Sequence, residues 1–125
     1  MEGRELALLT DLYELTMMQG YFETGSYKKQ VVFDLFYRKN PSGNGYAIAA
    51  GLQQAIEYIR NLRFSESDIA YLSGLGLFSD DFIEFLKQFR FTGEIYAIPE
   101  GTVVFPQEPW LRIKAPIVEA QLVEV

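Results

Sequence analysis

The 125 residues predict an α/β domain, a small sheet with several helices, on three observations. Apolar side chains recur at helical spacing in several separate stretches, and β-branched and aromatic residues gather in short runs near 30–38 and 94–114. No period of roughly 20–50 residues repeats, so a solenoid is excluded and the elements assemble singly around one core.

Thr10 as a cap, followed by the acid Asp11, opens a helix over about Leu12–Phe22, with Leu12, Leu15, Gln19 and Phe22 along one side. Tyr13, Met17 and Tyr21 repeat on another side, so this helix is apolar or aromatic over most of its circumference and is expected to be largely buried. Gly25 ends it. From Gln30 to Arg38 a strand is predicted, with Val31, Phe33, Leu35 and Tyr37 on one face and Val32, Asp34, Phe36 and Arg38 on the other. Asn40-Pro41-Ser42-Gly43-Asn44-Gly45 is turn-rich, and a second helix starts at Leu52 with Ala55, Ile56, Ile59 and Leu62 in register.

Ser65 with Glu66 and Asp68 predicts the start of a short helix carrying Ile69 and Leu72. Ser79 caps another, striped by Phe82, Phe85, Leu86 and Phe89. Glu94–Ile98, Thr102–Phe105 and Trp110–Lys114 read as strands separated by Pro99-Glu100-Gly101 and Pro106-Gln107-Glu108-Pro109, where the prolines spare the ladder donors. Pro116 begins a last helix through Val118, Leu122 and Val125 that stops without a C-cap. Residues 1–115 are thus expected to form the domain and 116–125 the start of a helix cut short, with a docked terminal turn as the alternative.

Composition narrows the chemistry. A net charge of −6 leaves no broad basic face to displace counterions from nucleic acid, so no nucleic-acid partner is expected. With no Cys and no His, thiolate nucleophiles, imidazole bases, phosphohistidine and zinc–thiolate sites are absent from these residues. No apolar run reaches the roughly 18–20 residues of a membrane span, and the start lacks the features of a signal peptide, so a cytoplasmic location and no membrane partner are expected. The acid pairs Asp80-Asp81 and Glu66 with Asp68 sit at helix starts, where the dipole accounts for them, and no metal site is expected. Gly43-Asn44-Gly45 lacks both the dinucleotide fingerprint and the lysine of a P-loop.

Two side chains stand out. Tyr13, beside Asp11 at the start of an almost wholly apolar helix, could face a planar ligand; the alternative is a core tyrosine with a satisfied hydroxyl. Arg38 ends the first strand before a Gly-rich loop, where a guanidinium suits phosphate or carboxylate; the alternative is an ion pair with Asp34.

The run Leu8-Leu9-Thr10-Asp11-Leu12-Tyr13-Glu14-Leu15-Thr16-Met17-Met18-Gln19-Gly20-Tyr21 resembles the opening motif of nicotinate phosphoribosyltransferases. Phe36-Tyr37-Arg38-Lys39-Asn40-Pro41, Gly45-Tyr46-Ala47-Ile48-Ala49-Ala50-Gly51-Leu52, Pro99-Glu100-Gly101 and Ala120-Gln121-Leu122-Val123-Glu124 follow in the family's order. The resemblance spans nearly the whole chain but only the amino-terminal quarter to third of such an enzyme. It implies the α+β-like amino-terminal domain of a type II phosphoribosyltransferase, whose last helix leads toward an irregular α/β barrel.

The implied reaction forms nicotinate mononucleotide and pyrophosphate from nicotinate and phosphoribosyl pyrophosphate, coupled to ATP hydrolysis with Mg²⁺, in the salvage branch of NAD synthesis. The resemblance implies a homodimer with shared sites, in which Tyr13 stacks on the pyridine ring, Arg38 reaches phosphate and Asp11 lines the same pocket. ATP and Mg²⁺ would be held mainly by residues beyond Val125, as would the family's phosphorylated His, so no catalytic residue is expected here and the chain alone should be inactive. A non-catalytic binding or dimerisation module derived from this family, or a nicotinamide-using relative, is the competing reading.

Overall fold

The computed structural model describes residues 6–40, 43 and 45–124. Pro41, Ser42 and Asn44 of the turn-rich loop, the first five residues and Val125 lie outside the described residues. Five helices occur among those described: α1 (Leu12–Glu23), α2 (Leu52–Arg60), α3 (Glu66–Gly74), α4 (Asp80–Lys87) and α5 (Ile117–Val123). Five strands accompany them: β1 (Gln30–Leu35), β2 (Ala47–Ile48), β3 (Glu94–Ala97), β4 (Val103–Val104) and β5 (Leu111–Pro116). The mixed α/β class predicted from the sequence is the one observed.

The strands form two antiparallel sheets rather than one. In the larger, β5 lies between β1 and β3; in the smaller, β2 pairs with β4. The two-residue β2 has no period of its own, and its pairing with Val103 and Val104 is what makes it a strand. β1 ends at Leu35 instead of Arg38. Its last ladder partner is Leu111, the Leu35 carbonyl accepts from Trp110 N–H, and the next residue back, Pro109, has no N–H to continue the pairing.

Register puts Val31, Phe33, Ile113, Ala115 and Ile95 on the covered face of the larger sheet, where they pack with Leu52, Ile59 and Ala120. The opposite face carries Asp34, Arg112 and Tyr96 in one cross-strand row. A second core, rich in aromatics, joins Leu15 and Met18 of α1, Leu72 of α3, Phe82 and Leu86 of α4, and Val118 and Leu122 of α5. Phe22 lies 5.0–5.7 Å from the rings of Tyr27, Phe82 and Phe85, and so links α1 to α4.

The helix starts follow from local chemistry. Ser65 and Asp68 form a reciprocal capping box on α3, and Ser79 Oγ accepts from Phe82 N–H at 3.2 Å on α4. α2 is capped from a distance: Gly51, at φ 82°, turns the chain in, and Glu100 Oε1 accepts from Gln53 N–H at 2.8 Å. Gly101 N–H also donates to the Ala49 carbonyl at 2.8 Å, so the Pro99-Glu100-Gly101 turn is seated on the 45–52 segment. Thr10 does not cap α1. Asp11 holds that position without a side-chain bond, while Thr10 Oγ1 is buried and unpaired among the described residues.

Candidate functional site

α1 departs most from the sequence pattern. Its buried residues are Glu14, Leu15 and Met18, because α4 and α5 cover one side only. Leu12, Tyr13 and Met17 are 49%, 51% and 40% exposed, which corrects the expectation of a largely buried helix. An aromatic ring at i with an apolar neighbour at i+4 on an uncovered helix side is an open platform. Tyr13 is therefore not a core tyrosine.

Two polar side chains on α1 fix how that platform is held. Gln19 reaches the start of α4, accepting from Ser79 N–H at 2.7 Å and donating to the Leu77 carbonyl at 3.1 Å. Glu14, with no exposed surface, accepts from Gln121 Nε2 of α5; the same amide lies 3.3 Å from Glu124 Oε2. Upstream, Tyr58 Oη of α2 donates to the Leu6 carbonyl and tethers the segment that enters the helix.

Acids dominate the start of α1. The Glu14 carboxyl first, then desolvation, then the charges of Glu14, Glu124 and Asp11 push the Tyr13 phenol up to about 12. The phenol is therefore neutral well past physiological pH. Glu124 is likewise held above the usual carboxylate range, by Glu14 first, then by burial and Asp11. Asp11 itself is exposed beside Tyr13.

Arg38 is exposed, three residues past the end of β1. The Tyr37 carbonyl accepts from Gln107 N–H at 2.8 Å and the Arg38 carbonyl from Gln107 Nε2 at 3.3 Å, so the 106–109 turn holds this backbone. The Tyr37 hydroxyl, 2.7 Å from Asn40 Oδ1 and 3.0 Å from the Val104 carbonyl, fixes the same segment from inside. Its phenol is raised by burial and by the Glu108 charge. Asp34 pairs with Arg112 at 2.7 Å, and that guanidinium holds its carboxyl below the ordinary range. The alternative of an Arg38–Asp34 ion pair is thereby overturned, and the exposed Arg38 guanidinium makes no ion pair among the described residues.

Asp11 and Tyr13 thus share one helix start, while no hydrogen bond or ion pair among the described residues joins them to Arg38. Sequence reasoning missed Glu14, whose charge hid its burial, and missed Arg112 as the partner of Asp34. Cross-strand pairing three residues past Pro109 was the available signal for the latter. No group of three acidic, imidazole or thiol side chains among the described residues converges to hold a metal ion.

The geometry defines a class: a mixed α/β domain with an exposed tyrosine on the first turn of α1 and an exposed arginine following β1. The family profile for the nicotinate phosphoribosyltransferase (NAPRTase) N-terminal domain matches residues 8–125. The chain is 52% identical over 118 residues to nicotinate phosphoribosyltransferase pncB2 of Mycobacterium tuberculosis, covering 94% of this chain and 25% of that protein. It is 47% identical over 119 residues to the nicotinate phosphoribosyltransferase of Bacillus subtilis, covering 95% and 24%. The crystal structure of human nicotinic acid phosphoribosyltransferase superposes with a TM-score of 0.83 at 34% identity, over 93% of this chain and 24% of that one. The chain belongs to the nicotinate phosphoribosyltransferase family, as its N-terminal domain. It spans about a quarter of the length of the curated relatives it matches.

Proposed function

We propose that this domain forms one wall of a nicotinate phosphoribosyltransferase site, where the nicotinate ring nitrogen attacks C1 of phosphoribosyl pyrophosphate. The C–N bond forms as the C1–O bond breaks, and pyrophosphate leaves with the electron pair, giving nicotinate mononucleotide. The single observation that carries the reading is Tyr13: a neutral aromatic ring, half exposed, on the uncovered side of a helix otherwise anchored into the core.

In such a reaction the ribosyl carbon develops oxocarbenium character, so the site must hold the pyridine in line and offset the leaving diphosphate charge. Tyr13 would hold the ring by stacking, with Asp11 at its edge, and Arg38 would neutralise phosphate oxygens. No hydrogen bond or ion pair among the described residues joins Arg38 to Tyr13, and a wall completed by further chain or by a second subunit, as in a homodimer with shared sites, fits the proposal. ATP coupling and Mg²⁺ belong to the remainder of the enzyme. A cytoplasmic location suits this metabolic role; among the described residues, no helix is long and apolar enough to cross a membrane.

The test is a chimera in which residues 8–125 replace the matching first quarter of the Bacillus subtilis relative. Tyr13→Ala should raise the KM for nicotinate by roughly 5- to 100-fold, the equivalent of about 1–3 kcal/mol of ring stacking, with folding unchanged. Arg38→Ala should raise the KM for phosphoribosyl pyrophosphate by roughly 10- to 100-fold, as loss of a charged hydrogen bond worth about 1.5–3 kcal/mol implies. Unchanged constants in both variants would contradict the reading.

A further inference from the structure

Glu14 is the most costly residue in the fold to explain as packing. Its neighbours on the buried side of α1, Leu15 and Met18, are apolar, and a leucine in its place would need no partner. Yet the carboxyl is wholly enclosed, with Oε2 accepting from Gln121 Nε2 while Oε1 has no partner among the described residues. Replacing buried polar groups by apolar ones is often neutral or stabilising, and where such groups persist the best-attested return is fixed register between elements.

The surroundings give Glu14 such a part. The Gln121 amide spans Glu14 and Glu124, so one side chain of α5 joins both carboxyls. The titratable groups acting on this turn are Asp11 and Tyr13 from the start of α1 and Glu124 from α5, with no cation among them. Glu124 has its proton affinity raised by Glu14 first, and the second Glu14 oxygen stays without a partner among the described residues. An apolar contact carries no direction, whereas a hydrogen bond from Gln121 to Glu14 depends on the rotation and height of α1 against α5.

We propose that Glu14 is a positioning residue for Tyr13: its enclosed carboxyl, gripped by Gln121, sets the rotation of the first turn of α1 and so the orientation of the neighbouring exposed ring. The proposal rests on the reading of Tyr13 as the stacking surface. It differs from that reading in making the orientation, and not only the presence, of the ring matter.

Two measurements test it. In the 125-residue chain with ¹³C-labelled tyrosine, the Tyr13 ring signal should show a single, ordered environment with a titration midpoint near 12. Glu14→Leu and Gln121→Leu should both broaden it; Glu14→Leu, which removes the carboxyl, should also return the midpoint toward 10, the ordinary value for tyrosine, with the melting temperature unchanged or higher, whereas Gln121→Leu, which strands the carboxyl, should lower the melting temperature. Glu14→Gln, which keeps an acceptor for Gln121 and adds a donor toward Glu124, should restore the ordered signal. In the chimera, Glu14→Leu should raise the nicotinate KM roughly tenfold, in line with the sensitivity of rate to small misplacements, and leave that for phosphoribosyl pyrophosphate unchanged. Glu14→Gln should stay within about twofold of the unsubstituted chimera, as a hydrogen bond exchanged for an equivalent one implies.

An unaltered Tyr13 signal in Glu14→Leu overturns the proposal, as does a loss shared equally by both substrates. If Glu14→Leu does not fold, Gln121→Leu, which leaves the carboxyl in place, decides alone. Failure of the underlying reading looks different: Tyr13→Ala would then leave nicotinate KM unchanged whatever the ring's order in the Glu14 variants.

Discussion

The first turns of α1 and α5 each bury a glutamate, and the contrast between them separates what holds the fold from what prepares the site. Glu119 in α5 is 6% exposed and both its oxygens are occupied, accepting from Thr92 N–H at 2.5 Å and Thr92 Oγ1 at 2.8 Å. It stands at a helix N-terminus, where the dipole favours its charge. Glu14 is more deeply enclosed but only half satisfied, and it adjoins an exposed tyrosine. A fully satisfied buried carboxylate is sufficiently explained by the loop it pins. Local rules broken beside an exposed ring point to a site.

The Thr92 side of this comparison is the easier to break. A Cβ at Gly93 would lie 2.4 Å from Ala115 Cβ and 2.7 Å from the Lys114 carbonyl oxygen, so the loop that Glu119 holds packs closely against β5 with no space for a side chain there. Glu119→Ala strands the Thr92 donors and should cost about 1.5–3 kcal/mol in urea denaturation, whereas Glu14→Leu should leave the midpoint nearly in place. Equal losses would erase the distinction.

A subtler difference concerns pH. Because Glu124 has its proton affinity raised in the folded chain, the stability it contributes is whole below the ordinary glutamate range and is lost as pH rises through its elevated folded value. Backbone exchange in the last turn of α5, corrected for intrinsic rates, should therefore speed up across that window. Glu124→Gln should flatten the response, and an unchanged profile would remove the titration of Glu124 from the account. The smallest effect is expected at Asp34→Ala, which frees Arg112 on an exposed sheet face and should barely move the melting temperature.

Much of the architecture could be read from the residues. Ser65 with Asp68 and Ser79 are short-range signals whose donors lie three residues away, and they mark the starts of α3 and α4 where expected. What could not be read depends on distant partners. β2 exists only through β4, β1 stops early where its partner strand gives way to the turn containing Pro109, which lacks an N–H, and Glu100 caps a helix almost fifty residues upstream. The same division holds for the site. Tyr13 and Arg38 stood out by type and position, and Tyr13 proved to be outside the core. The burial of Glu14 and the capture of Asp34 by Arg112 follow from α5 and β5, which no window around those residues contains.

The central claim is that the ring of Tyr13, on the open side of α1, is a stacking surface for nicotinate. Comparing Tyr13→Phe with Tyr13→Ala in the chimera tests it most directly, because phenylalanine keeps the ring and removes only the hydroxyl. The account predicts a nicotinate KM for Tyr13→Phe close to that of the unsubstituted chimera and a large increase for Tyr13→Ala. Equal increases in the two variants, or none in either, would contradict it.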